Sequence, residues 1–250
     1  MRNISDIDHN FSVAFHDSGL DYFDVFGSPE LIYGLIVQND SFCRIPKETA
    51  RQINGQVEVF SAVTSGGRMR FRTDSRTVAL QFSFAETFTS SNLSTLASCG
   101  FDLYERLGEC WQFRGCFLPP DDLSVTQNGT LQLPSTGMHE LLIHFPLYAE
   151  IKTLALGLQS GSSFFPFPYS NGSFVIYGSS ITQGGCASRP GNCFASIVSR
   201  RLDMDYVNLG FSSGARGEPA MAEYLCERPC DILVLDYDHN APNAEYLAKT

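Results

Sequence analysis

Tryptophan is nearly missing from these 250 residues, with one at position 111, and cations are scarce, 17 Lys and Arg against 27 Asp and Glu. The formal charge of −10 argues against general polyanion binding, because phosphate backbones are held by clustered cations. Only Met69 to Arg76 is locally basic, too short for a nucleic-acid surface. No apolar run approaches the roughly 20 residues that cross a bilayer. The opening MRNISDIDHNF lacks the apolar stretch of a secretion signal. The expectation is therefore no nucleic-acid partner, no membrane, and a cytoplasmic address.

Hydrophobic residues make up 43% and charged residues 18%, ample for a folded core. Eight cysteines stand at 43, 99, 110, 116, 186, 193, 226 and 230. In a reducing compartment they are expected as buried thiols rather than bridges. Cys226 and Cys230 lie four apart without the His or second close Cys pair that a zinc site needs.

The sequence changes character near residue 165. From about Val57 to Leu158 it reads as short strands and turns. Met69-Arg70-Phe71-Arg72, Val78 to Phe84 and Trp111-Gln112-Phe113 alternate with period two, which places one face on a core and the other in water. Glu140 to Phe145 and Ile151 to Leu158 continue the series. Many short strands separated by Gly, Pro and Asn turns suggest an antiparallel sandwich or jelly roll, with few helices in this half. Ser160 to Gly172, rich in Pro and Phe, reads as an extended connector whose phenylalanines pack between the halves.

Beyond it the pattern is β-α-β-α-β. Phe174–Tyr177, Tyr206–Leu209 and Asp231–Tyr237 read as strands. Asn192–Leu202 reads as an amphipathic helix, capped by Asn192, with Phe194, Ile197, Val198 and Leu202 near one face. Glu218–Arg228 reads as a second helix with Pro219 in its first turn. Apolar strands alternating with helices imply a parallel sheet covered on both faces. Ligands bind such sheets beyond the strands' carboxyl ends.

Three loops follow those ends. Gly178-Ser179-Ser180-Ile181-Thr182 can present a serine hydroxyl beside free backbone N–H groups, or be a hydroxyl-capped turn. Asn208 to Glu218 is a Gly/Ser loop ending at a helix start. It can donate N–H groups to an oxyanion, bind a phosphate, or bind nothing. Asp238-His239-Asn240 can offer an amide donor, or form an Asx-turn before Pro242.

Taken together, the three loops resemble the SGNH (GDSL-type) hydrolases. Gly178 to Thr182 matches the family's first block, with Ser180 at the nucleophile position and Ser179 where an Asp is usual. The second block normally offers a glycine amide; here that position is Ser213, followed by Gly214. Asn240 matches the third block. Gly178 to Gly191, with its GSSITQG and ASRPG stretches, is similar to one branch of the family. Gly100-Phe101-Asp102-Leu103-Tyr104 resembles the GxDLY signature of the β-sandwich domain preceding the hydrolase domain in that branch.

The resemblance spans roughly residues 30 to 250. It implies two domains: an antiparallel, jelly-roll-like β-sandwich over 1–165, then over 172–250 the N-terminal portion of an α/β flavodoxin-like hydrolase domain. It implies a serine esterase acting on small acyl esters, acetyl above all, including those of carbohydrates. Ser180 would be the nucleophile, Ser213, Gly214 and Asn240 would form the oxyanion hole, and no metal or organic cofactor is called for.

An acyltransferase of the same fold and a non-catalytic carbohydrate-binding protein are the alternatives; Tyr104, Trp111, Phe113 and Phe117 are the aromatic candidates for the second, with core packing favoured for most of them. The family's Asp-x-x-His block is not found. His9, His16, His139, His144 and His239 do not match it, and the expectation is a fragment with little activity of its own. Oligomeric state is left open.

Overall fold

The computed structural model describes residues 19–250; His9, His16 and the opening segment lie outside them. The first part runs β1 (Leu20–Asp24), β2 (Ile32–Tyr33), β3 (Ile36–Gln38), β4 (Ser41–Cys43), α1 (Lys47–Ile53), α2 (Gly55–Phe60), β5 (Arg68–Thr73), β6 (Thr77–Thr87), α3 (Thr95–Cys99), β7 (Phe101–Leu107), β8 (Cys110–Phe117), β9 (Gln127–Gln132), β10 (His139–His144), β11 (Ala149–Gln159) and β12 (Phe164–Pro166). The second runs β13 (Ser173–Gly178), α4 (Ser180–Gln183), α5 (Phe194–Leu202), β14 (Asp205–Gly210), α6 (Pro219–Cys226), β15 (Ile232–Asp236) and α7 (Ala244–Leu247).

Two larger antiparallel sheets and the small β3-β4 pair form the first part. One has the order β1-β11-β6-β9; the other has β12-β5-β10-β7-β8, with β2 also on β5. Their inner faces meet in one core, to which Leu80, Phe82 and Leu156 contribute from the first sheet and Phe71, Phe101 and Ile143 from the second. The alternation in the sequence is the cause: every second residue is apolar and turned inward.

Three features depart from the sequence reading. Val57 lies in a helix, because the Asn54 side chain accepts the Val57 N–H at 2.9 Å and caps α2; the cap outweighs the β-branched content. The connector contains a strand, since Phe164–Pro166 pairs with β5 at the sheet edge, where a proline's missing N–H is tolerated. Of its phenylalanines, Phe164 packs tilted against Phe23 within the sandwich, Phe165 is exposed, and Phe167 lies at the junction with the second part.

The third departure sets the architecture. Arg70, expected in water with Arg72, is fully buried, as is Arg68 before it, and Arg72 is exposed. The outer face of β5 is covered by the second part of the chain. Arg68 pairs with Asp205 and donates to the Tyr206 carbonyl at 3.0 Å and the Tyr169 hydroxyl at 2.6 Å. Arg70 lies 2.7 Å from Asp203 with its guanidinium against the Phe167 and Tyr169 rings. Asp203 ends α5, so the negative pole of that helix adds to the attraction.

This junction also reverses the expected face of α5. Ala195, Ser196 and Ser199 are its buried residues, while Phe194, Val198 and Leu202 are 38–49% exposed. Small residues leave room for the arginine and tyrosine side chains, and Ser196 meets the Tyr206 hydroxyl at 2.8 Å. The helix starts at Phe194 with Cys193 as its cap residue; Asn192 instead donates to Ser188 Oγ at 2.8 Å.

The second part is a parallel sheet of order β14-β13-β15. Both faces carry cores, and residues of the first part complete each. Ala50, Ile53 and Val57 of α1 and α2 pack with Val175, Tyr177 and Leu209. Ala97, Leu147 and Tyr148 pack with Phe174, Ile176 and Tyr206. The edge strand β15 keeps Ile232 to Leu235 at 37–57% exposure. Among the described residues, no helix is long and apolar enough to cross a membrane. All eight cysteines are free, but only Cys99 and Cys193 are buried; Cys110, Cys186 and Cys226 are exposed, because they fall on a hairpin, a loop and a helix end rather than in a core.

The two signature stretches meet. Asp102 is fully buried on the outer face of β7 and accepts the Gly191 N–H at 2.8 Å, and Arg189 reaches the Tyr104 hydroxyl at 3.2 Å. A Cβ on Gly191 would sit 2.6 Å from the Tyr104 ring and 2.8 Å from the Asp102 carboxylate, so only glycine lets that turn approach. Burial outweighs Gly191, Arg200 and Arg189 and pushes the Asp102 pKa up to about 7. A raised carboxyl pKa favours the folded state while the group is protonated. Its contribution is full below the unfolded value near 4 and is lost as pH rises through about 7. The difference in urea midpoint between the unmutated protein and Asp102→Asn should therefore fall between pH 5 and pH 8, while buried His144 acts in the opposite sense in both proteins; equal pH dependence in the two would refute the assignment.

Candidate active site

The parallel register puts the three loops at one end of the sheet: Gly178 is level with Gly210 on one side and with Asp236 on the other. Backbone bonds then tie each loop to the next strand. Ser179 N–H donates to the Asp236 carbonyl at 3.0 Å, and Phe211 N–H donates to the Gly178 carbonyl at 2.9 Å.

Ser180 opens α4, a single turn capped by Ser179, whose hydroxyl accepts the Ile181 N–H at 3.3 Å. The Ser180 carbonyl accepts from Gly184 at 3.1 Å and Gly185 at 2.7 Å, closing the turn tightly. Among the described residues, neither the Ser180 hydroxyl nor its N–H has a hydrogen-bond partner, and the residue is half-buried. A serine held by its backbone, with hydroxyl and amide both free, suits attack on a carbonyl.

Two buried side chains lock this turn to the next loop. Asn208 donates to the Thr182 carbonyl at 2.8 Å and accepts the Gly210 N–H at 2.8 Å. Gln183 accepts the Ser212 N–H at 2.8 Å, and the Ser212 hydroxyl meets the Tyr148 hydroxyl at 2.8 Å. Arg44, fully buried, donates to the Gly210 carbonyl at 2.5 Å and the Phe60 carbonyl at 2.6 Å, and stacks on Phe211. Burial pulls its pKa down to about 9, which leaves it charged at neutral pH.

Ser213 takes φ 60°, the left-handed conformation that glycine adopts freely. The turn is thus kept without the glycine. Ser213 is exposed and its N–H is unpartnered among the described residues. Gly214 is placed differently: its N–H donates to the Phe211 carbonyl at 2.9 Å, and its Cα faces Gln56 and Val57 of α2. Its amide is already used, so of that pair only Ser213 has a free donor. Asn240 ends a one-turn 3-10 helix, and its Nδ2 approaches the Phe211 carbonyl at 3.4 Å, which brings it to the same loop.

The described histidines lie elsewhere or have other partners. His139 is buried in the sandwich with Nδ1 2.5 Å from Glu105. His144 is buried against Arg200, whose Nη1 donates to Nε2 at 2.8 Å, and burial holds its pKa well below the ordinary value. His239 has a side chain 63% exposed beside Asp238. None hydrogen-bonds to Ser180. Among the described residues, no cluster of His, Cys, Asp and Glu could hold a metal ion.

Sequence reasoning missed Arg44, Tyr148, Gln183 and Asn208. Gln183 and Asn208 sit inside the matched stretches and could have been flagged as buried amides. Arg44 and Tyr148, far away in sequence, gave no signal.

Comparison with known proteins follows the same division. Residues 20–164 match the family model GxDLY, described as the N-terminus of SGNH-hydrolase-type esterases. Residues 171–250 match the GDSL-like lipase/acylhydrolase family. No curated protein matches the chain. A GDSL-like lipase from Bacteroides ovatus is similar with a TM-score of 0.80 and 29% identity, over 89% of this chain and 65% of that one. A salicylyl-acyltransferase from a tetracycline biosynthetic pathway shares the fold, with a TM-score of 0.66 and 19% identity, over 91% of this chain and 62% of that one. The chain therefore spans less than two thirds of the length of either.

A left-handed non-glycine residue costs on the order of 1–2 kcal/mol, partly offset by the freedom glycine has when unfolded. Ser213→Gly should therefore raise the unfolding free energy by up to about 1 kcal/mol in urea titrations; a loss of stability would show that the turn is not left-handed in solution.

Proposed function

The chain belongs to the GDSL-like, SGNH-type hydrolases that carry a GxDLY N-terminal domain, and on that premise we propose that it is a serine esterase acting through Ser180. One observation carries this reading. Among the described residues, Ser180 has a free hydroxyl and a free amide on a tight turn after the first parallel strand, with the free Ser213 amide on the loop locked to it.

In the proposed reaction, Ser180 Oγ attacks the carbonyl carbon of a small acyl ester, acetyl esters included. The carbonyl oxygen takes the negative charge and is met by the N–H groups of Ser180 and Ser213 and the side-chain amide of Asn240. The alcohol leaves with a proton, and the acyl group stays on Ser180 until water attacks and regenerates the hydroxyl. Gly214 shapes the turn rather than donating. The serine proton requires a base, and the buried His139 and His144, engaged by Glu105 and Arg200, do not supply it.

Pure glycan binding by the sandwich has less support. Tyr104 and Phe117 are buried, Trp111 lies against Phe167, and the exposed Phe113 is covered by Arg189 at 4.2 Å.

Ser180→Ala should abolish labelling by a fluorophosphonate and whatever turnover of an acetyl ester the unmutated protein shows, while leaving circular dichroism unchanged. Asn240→Ala should lower turnover on the order of 10²–10³, as loss of one oxyanion donor does. Normal ester turnover by Ser180→Ala would overturn the assignment.

A further inference from the structure

A cavity of about 340 Å³ opens beside Ser180, and half of its lining comes from the first part of the chain. Phe60, Phe88 and Leu93 form one wall, Tyr148 and Ser212 lie at the bottom, and Ile181 stands at the rim. Phe60, Phe88 and Leu93 are only half-buried, and Ile181 is 51% exposed. Apolar surface therefore faces open space directly next to the hydroxyl. The Phe60 and Phe88 rings lie 5.0 Å apart and tilted, and Phe60 meets Tyr148 edge-on at 6.1 Å, an aromatic corner that suits another flat ring.

The wall is held rather than loose. Phe88 N–H donates to the Tyr148 carbonyl at 2.8 Å. Arg44 grips the Phe60 carbonyl and the Gly210 carbonyl with one guanidinium, which couples the aromatic wall to the loop bearing Ser212 and Ser213. Among the described residues, no charged side chain lines the cavity. Of its polar side chains other than Ser180, Ser212 is occupied by Tyr148 and Gln183, and Asn92 accepts from Ser90. A sugar would find few partners there.

Size points the same way. An apolar cavity of about 150 Å³ accommodates a benzene ring, so this one has room for a ring together with its carbonyl. An acetyl methyl would leave most of it unfilled.

We propose that this cavity receives an uncharged aryl or similarly bulky apolar group of the ester, adjacent to the scissile bond, and that Phe60 and Phe88 of the first part set the preference. The ester setting rests on the Ser180 reading; the ring preference of the cavity can be measured without it. The ring could sit on the acyl or the alcohol side, and the two are separated experimentally.

The test uses two arms. In the Ser180→Ala protein, methyl benzoate, benzyl acetate, methyl acetate and an acetylated methyl glucoside are titrated and followed by NMR. The aryl esters should bind at least tenfold more tightly than the other two, and Phe88→Ser should remove that advantage in a protein of unchanged circular dichroism. Phe60→Ser should act likewise, and Phe88→Ser carries the test if the Phe60 variant does not fold. Equal binding of all four esters, or an aryl advantage that survives Phe88→Ser, would overturn the proposal. In the second arm, the unmutated protein is offered phenylboronic and methylboronic acids, which add to an active-site serine. Preferential capture of phenylboronic acid places the ring on the acyl side. Equal capture, with the aryl advantage retained in the first arm, places it on the alcohol side. Capture of neither, with that advantage retained, removes the Ser180 reading but leaves the cavity's preference standing.

Discussion

Two arginines without solvent contact hold this molecule in its shape. A buried guanidinium is costly unless its charge is met, and Arg68 and Arg70 are met only when Asp205 at the start of β14 and Asp203 at the end of α5 lie over the outer face of β5. That requirement fixes the parallel sheet against the sandwich. It also explains the small, polar face of α5 and the aromatic residues at the junction, since Tyr169, Tyr206 and Phe167 supply ring faces to the same cations. With the sheet so placed, Phe60 and Phe88 arrive beside Ser180, which no residue near Ser180 in sequence could have arranged.

Asp102 and the 189–191 turn repeat the device on a smaller scale. The aspartate and tyrosine of one signature and the arginine and glycine of the other form one contact. These two stretches, read separately, look like a strand and a loop. Their shared chemistry lies in a carboxylate that accepts a backbone amide where no side chain would fit.

The sequence revealed the elements with strong periodicity and the loops that follow them. The three parallel strands and the common end of the Ser180, Ser213 and Asn240 loops follow from apolar runs and turn residues, all local properties. What it hid was the identity of each exposed-looking face. Alternation in Met69 to Arg72 says which residues share a side, but water and a neighbouring helix both accept a charged side. The stripe of Phe194, Val198 and Leu202 misled for the same reason: the stripe is real, yet the partner of α5 is a charged sheet that selects for serine and alanine. Gly214 illustrates a finer limit, since one backbone bond to Phe211 decides whether its amide is free, and no composition records that bond.

Both faces of the parallel sheet are finished by side chains from the other part of the chain: Ala50, Ile53 and Val57 on one, Ala97, Leu147 and Tyr148 on the other. The boundary visible in the sequence near residue 165 is therefore not a boundary in the packing. Recombination at that point, joining this sandwich to a foreign hydrolase half or the reverse, would leave two half-built cores facing each other. An exchange that respected the packing would have to carry α1, α2 and the β5 arginines along with the Ser180 sheet, a unit discontinuous in sequence. Selection acting on such chains is expected to keep the two parts together as one inherited block, even though each has its own recognisable signature.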